Sequence, residues 1–128
     1  MEFLHSDNAP AAIGPYSQAV KVNGLLYTSG QIALTKDGVM VENDIKKQTR
    51  QIFANIKALL EDNETSIDSI IKINIYLTDM KNFGIVNVIM AEFFGDHKPV
   101  RSTVEVAGLP KNALIEMDCI VVVSGDYH

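Results

Sequence analysis

Residues 71–78 read "IKINIYLT", and apolar and polar side chains alternate there without a break. Ile71, Ile73, Ile75 and Leu77 oppose Lys72, Asn74, Tyr76 and Thr78, a period of two that commits the stretch to a β-strand with one wetter face. On both sides the period changes to that of a helix. Upstream, Ile45, Ile52, Phe53, Ile56, Leu59 and Leu60 recur at helical spacing behind a candidate N-cap at Asn43 or Asp44, which predicts a helix ending near Asn63. Downstream, Phe83, Val86, Ile89, Met90, Phe93 and Phe94 form a second stripe, and Gly95 is placed to end it in a left-handed conformation.

The flanks are β-prone. Asn23-Gly24 separates two runs, about Ser17 to Val22 and Leu25 to Gln31, and both turn residues tolerate the positive φ of a two-residue hairpin. Asp37-Gly38 marks another turn. After Pro99 come a strand from Arg101 to Val106, a Gly108/Pro110 turn and a last strand from about Leu114 to Ser124. The order strands, helix, strand, helix, strands predicts an α+β fold, a mixed sheet with two helices on one face. With 128 residues, 47% of them hydrophobic, the chain suits one domain spanning 1–128. Two helices leave the other sheet face bare. The run "CIVVV" is apolar on both sides, and Val20 and Val22 add to the surplus, so self-association with closed rotational symmetry is expected.

Charge and cysteine usage narrow the functions. Eleven Lys and Arg face 16 Asp and Glu, a net charge of -5, which argues against nucleic acid as a partner. Cys119 is the only cysteine, so no intrachain disulfide or multi-cysteine zinc site can form. The opening "MEFLHSDNAP" has no basic segment followed by an apolar run, and no stretch reaches membrane length; a cytoplasmic protein is expected. His5, His97 and His128 are scattered and read as surface residues rather than metal ligands. No glycine pattern forms a phosphate cradle. Alternation puts Cys119 on one face with Ile115, Met117, Val121 and Val123, an inert core thiol rather than a nucleophile.

Arg101 is harder to dismiss. Arg101, Thr103 and Glu105 share a strand face, and Glu116 and Asp118 form a polar pair on the last strand. Spacing alone allows an ion pair from Arg101 to Glu105 or Glu116 as readily as an anchor for an external anion. The rigid Pro99 just upstream favours the anchor. Tyr16 is either a packed aromatic or a side chain positioned by Gly14-Pro15, and Ser29-Gly30 is either a bulge or a place where a ligand meets the backbone.

Taken together, "AIGPYSQAV", "LLYTSGQI", "DIKKQTRQIFANIKALLE" and, most specifically, "PVRSTVEVAGLPKNALIEM" resemble the RidA/YjgF family of 2-iminobutanoate/2-iminopropanoate deaminases along nearly the whole chain. The resemblance implies a chorismate-mutase-like homotrimer with active sites in the subunit clefts. It implies hydrolysis of the enamines and imines released by pyridoxal-phosphate dehydratases to 2-keto acids and ammonia, with no cofactor and no metal. Arg101 would bind the substrate carboxylate and Glu116 would position the attacking water. Tyr16, Ser29, Gly30, Asn87 and Thr103 would line the pocket. Many members carry cysteine where this chain has Thr103, so no thiol can act there, and "GDHKPVRS" is shorter than in several relatives. Other branches of the family are described as regulators, chaperone-like proteins or ribonucleases. The alternative for this chain is therefore a non-catalytic binder of small carboxylates.

Overall fold

The computed structural model describes residues 1–123. The chain runs β1 (Glu2–Leu4), β2 (Ala19–Val22), β3 (Leu25–Thr28), α1 (Ile45–Glu61), β4 (Ile70–Leu77), α2 (Phe83–Phe94), β5 (Val100–Glu105) and β6 (Ile115–Val122). The six strands form one sheet in the order β1-β2-β3-β6-β4-β5. Only β4 and β5 pair in parallel, and α2 supplies the crossover that a parallel pair requires. The mixed sheet and the two helices are as expected from the sequence; β1, which pairs with β2 through Phe3 and Val20, was not. Three residues carry too little period to announce a strand.

Local chemistry explains the elements. Asn23 and Gly24 both take positive φ, 52° and 78°, and close the β2–β3 hairpin. Asp44 caps α1 by accepting a hydrogen bond from the Lys47 N–H at 3.1 Å. Gly95, at φ 61°, stops α2 while its N–H still donates to Ala91. Ile52, Phe53, Ile56, Leu59 and Leu60 of α1 are buried, with Val86, Ile89 and Phe94 of α2, against Ile73, Ile75, Leu77, Ile115, Met117 and Val121 of the sheet. The stacked rings of Phe53 and Phe93, 4.3 Å between centroids, join the two helices.

Some boundaries differ from the sequence reading. A register shift between Ile70 and Lys72 turns Ile70 into the core and leaves Ile71 43% exposed, so the inward set is Ile70, Ile73, Ile75 and Leu77. The second hairpin strand ends at Thr28 rather than Gln31; the chain leaves the ladder at Ser29-Gly30, and Gln31 rejoins the sheet by bonding Met117 in both directions. The predicted strand from Ser17 begins at Ala19, that from Arg101 to Val106 is Val100–Glu105, and that from Leu114 ends at Val122. Ser124, like His128, lies outside the described residues. Cys119 is 2% exposed and its thiol is pushed up by burial, so it is a core residue as expected. Val20, Val22, Ile120 and Val122 lie on the face away from the helices, only half-buried.

Candidate active site

The register of the sheet sorts the predicted site residues. Arg101 pairs with Ile73 and so points to the helix face, whereas Glu116 pairs with Tyr76 on the opposite face. β4 also lies between their strands. With strands about 4.8 Å apart, one chain cannot bring this guanidinium and this carboxylate onto the same small molecule. The ion pair between them that spacing allowed is absent for the same reason. Glu105, the other candidate partner, accepts a hydrogen bond from the Met80 N–H at 2.7 Å instead.

Arg101 sits on the edge strand, exposed. One guanidinium nitrogen donates to Asn87 Oδ1 and lies 3.7 Å from the Met90 sulfur, and the Arg101 Cζ stands 5.0 Å from the centre of the Phe83 ring. These contacts from α2 aim the fork without neutralising it, because no carboxylate among the described residues reaches it. A guanidinium has five N–H donors, and two parallel ones match a planar anion. The guanidinium borders a cavity of about 300 Å³ shared with Asn87, Met90, Phe94, His97 and Lys98. Thr103, next along the same face, keeps its hydroxyl oxygen buried with no hydrogen-bond partner.

The second cluster surrounds a cavity of about 350 Å³ lined by Ile13, Tyr16, Gly30, Ile32, Lys111 and Glu116. Burial, and after it the charge of Asp118, raises the Glu116 carboxyl above its ordinary range. Gly30 makes room for it: a Cβ there would stand 2.8 Å from Glu116 Oε2 and 2.9 Å from its Cδ. Gly14, at φ 133°, and the turn closed by the Tyr16 N–H on the Gly14 carbonyl present Tyr16, which is 54% exposed with its hydroxyl 3.4 Å from the Ile13 N–H. Ser29 lies on a neighbouring groove rather than on this cavity, and its hydroxyl donates to the Ser17 carbonyl. The structure thus makes two separate clusters, Arg101 with Asn87 and Thr103, and Glu116 with Tyr16 and Gly30.

A sequence profile described as Endoribonuclease L-PSP, the group that includes YjgF and RidA, matches residues 6–123. The chain belongs to the RidA/YjgF family. It is 48% identical over 120 residues to a RutC family protein of Pyrococcus horikoshii, covering 93% of this chain and 95% of that one. It is 43% identical over 116 residues to a 2-iminobutanoate/2-iminopropanoate deaminase of Dermatophagoides farinae, covering 90% and 91%. The Rid-family protein YyfA of Yersinia pestis superimposes with a TM-score of 0.93 at 50% identity, covering 95% of this chain and 98% of that one.

Two supports of the Glu116 cavity escaped the sequence reading. Lys111 enters the Glu116 cavity on a backbone at φ 55°, and Asn112 follows at φ 55°. Its only advance signal was the Pro-Lys-Asn turn, since Asn tolerates that conformation. Gln18 is 3% exposed; it accepts from the Ser6 N–H at 2.6 Å and donates to the Pro10 carbonyl at 2.7 Å, which holds the cavity wall against the sheet. A glutamine in a β-prone run gives no such signal. Among the described residues no group of three His, Cys, Asp or Glu side chains is gathered as metal ligands would be, and no helix is long and apolar enough to cross a membrane.

Proposed function

We propose that this chain hydrolyses short-lived 2-imino acids and their enamine tautomers, such as 2-iminopropanoate and 2-iminobutanoate, to 2-keto acids and ammonia. The observation that carries the reading is the division of Arg101 and Glu116 between opposite sheet faces, each presented toward open space. A second copy seated on the half-apolar face would bring its Arg101 to the Glu116 cavity, and three such contacts close a ring. The single buried thiol is compatible with the cytoplasm, where we place the protein.

The chemistry follows from the groups. Arg101 of one copy grips the substrate carboxylate through its unused N–H groups. A protonated imine is already electrophilic at C2. Glu116 accepts a proton from water as the water oxygen bonds to C2, giving a carbinolamine, and passes it to nitrogen; it then takes the hydroxyl proton as C=O forms and the C–N bond breaks, and ammonia leaves with that proton as ammonium. A carboxyl raised above its ordinary range by burial, and after it by Asp118, suits a group that both takes and gives protons, and this favours an enzyme over a passive carboxylate binder. Every atom is supplied by substrate and water, so the route requires no cofactor. The family's endoribonuclease description fits less well with a net charge of -5.

The test is to add the protein to a pyridoxal-phosphate dehydratase producing 2-aminoacrylate, with a scavenger competing for the intermediate. Faster pyruvate and ammonia release is expected, from a species that sediments as three copies of the chain. An unchanged rate at enzyme-like concentrations would leave the binder reading, and a monomer would remove the shared site.

Gly30→Ala probes the cavity independently. Its methyl group meets the flexible end of Glu116, so the fold tolerates it but the carboxylate must move. Turnover is expected to fall by about 100-fold, the scale of a misplacement near 1 Å, with little change in melting temperature. Full activity in this variant would show that Glu116 need not occupy its observed position.

A further inference from the structure

On the face that carries Glu116, most side chains are apolar: Val20, Val22, Leu25, Ile120 and Val122. Amid them stands one polar cluster. Asn74 Nδ2 donates to Asp118 Oδ1 at 2.8 Å, and the Tyr76 hydroxyl donates to Asp118 Oδ2 at 3.0 Å. A carboxylate whose two oxygens each receive a donor is held in one orientation. Tyr76 is the direct cross-strand partner of Glu116, yet its hydroxyl turns diagonally to Asp118. Glu116 therefore receives no hydrogen bond from the described residues, while Asp118, two positions along the same strand face, takes both available donors. Stability alone does not call for this arrangement, because apolar residues of similar volume serve an otherwise oily face at least as well.

We propose that the Asn74-Asp118-Tyr76 cluster is a positioning device for the reaction: it fixes a second carboxylate beside Glu116 and thereby governs proton transfer at Glu116. The inference rests on the assignment of Glu116 as the proton-transfer group. Two neighbouring carboxylates in unlike surroundings divide the work. Asp118 is held in place by a donor on each oxygen; Glu116, bare and partly desolvated, exchanges protons with water. The influence of Asp118 on the Glu116 carboxyl agrees in sign, since a like charge disfavours ionisation. Burial, with Asp118 and Glu116 adding to it, likewise raises the Tyr76 phenol, which keeps it a donor at neutral pH. The other titratable groups facing Glu116 are Tyr16 and Lys111 across the cavity. Lys72 lies on the same sheet face beyond Asn74, opposite Ile120. In the proposed assembly a neighbour's Arg101 joins them.

The experiment titrates Glu116 directly, by carbon-13 NMR of side-chain carboxyls in the full chain, alongside the pH dependence of turnover. In Asp118→Asn the amide oxygen can still accept from one donor, and Asn74 can turn its own amide to meet the new NH2 group, so folding is retained. Loss of the fixed charge should lower the Glu116 midpoint, and the acid limb of the rate profile should move down with it. Tyr76→Phe keeps the charge but loosens it, and a smaller shift in the same direction is expected. A purely structural cluster would lower the melting temperature and leave the midpoint in place. An unmoved midpoint in both variants overturns the inference without touching the assignment of Glu116. A moved midpoint with undiminished turnover in Glu116→Gln supports the coupling and overturns that assignment.

Discussion

Arg101→Ala is expected to lose roughly 100- to 10,000-fold in kcat/KM toward 2-imino acids, with the oligomer and the melting temperature preserved. The magnitude follows from two charge-assisted hydrogen bonds to a carboxylate, each worth ~1.5–3 kcal/mol. The selectivity of the loss follows from position. Arg101 is exposed on an edge strand, and its contacts, Asn87, Met90 and the Phe83 ring, are half-buried residues of α2 that keep their places against the core without it. Arg101→Lys should recover little, because a single ammonium cannot present two parallel N–H groups to a planar anion. Steady-state kinetics with solution sizing checks both. Near-normal turnover in the alanine variant would mean that the substrate's acid end is held elsewhere, with Lys111 the first residue to examine.

Glu116→Gln should cost about 100- to 10,000-fold in kcat, the usual reach of general acid-base catalysis, while a non-reacting 2-keto acid still binds. The pH dependence has a definite sign. Glu116 acts as the base only when ionised, and burial with Asp118 raises its carboxyl, so activity in the parent protein is lost as pH falls through that raised value, above the ordinary glutamate value near 4.3. The glutamine variant should show no such limb. A rate profile unchanged in both height and shape would assign water activation to another group, such as a backbone carbonyl.

The fold keeps these two groups apart. Arg101 is aimed by α2, and Glu116 is held in the lee of Gly30 by the central strand β6. A site assembled across copies would make activity depend on association, so dilution that separates the copies should silence turnover before it unfolds the chain.

Much of the architecture was legible from the residues alone. The two stripes of α1 and α2, the alternation in β4 and the Asn23-Gly24 hairpin are local signals, written by side-chain spacing and backbone preference within a dozen residues. Arg101 also stood out, because a cation behind a rigid proline requires an explanation. Ile71 was misplaced because a one-residue register shift leaves no trace in a hydrophobic pattern. Gln18 and Lys111 were missed because their roles lie in contacts distant along the chain.

What the sequence determined by itself is the two helices, five of the six strands and the surplus of apolar residues on one sheet face, with Arg101 and Glu116 as candidate reactive groups, since these depend on local periodicity and on side-chain chemistry. Only the tertiary structure decided which groups face one another. Strand order and register, set by long-range pairing, put Arg101 and Glu116 on opposite faces, joined Tyr76 and Asn74 to Asp118, and left Glu116 without a donor among the described residues.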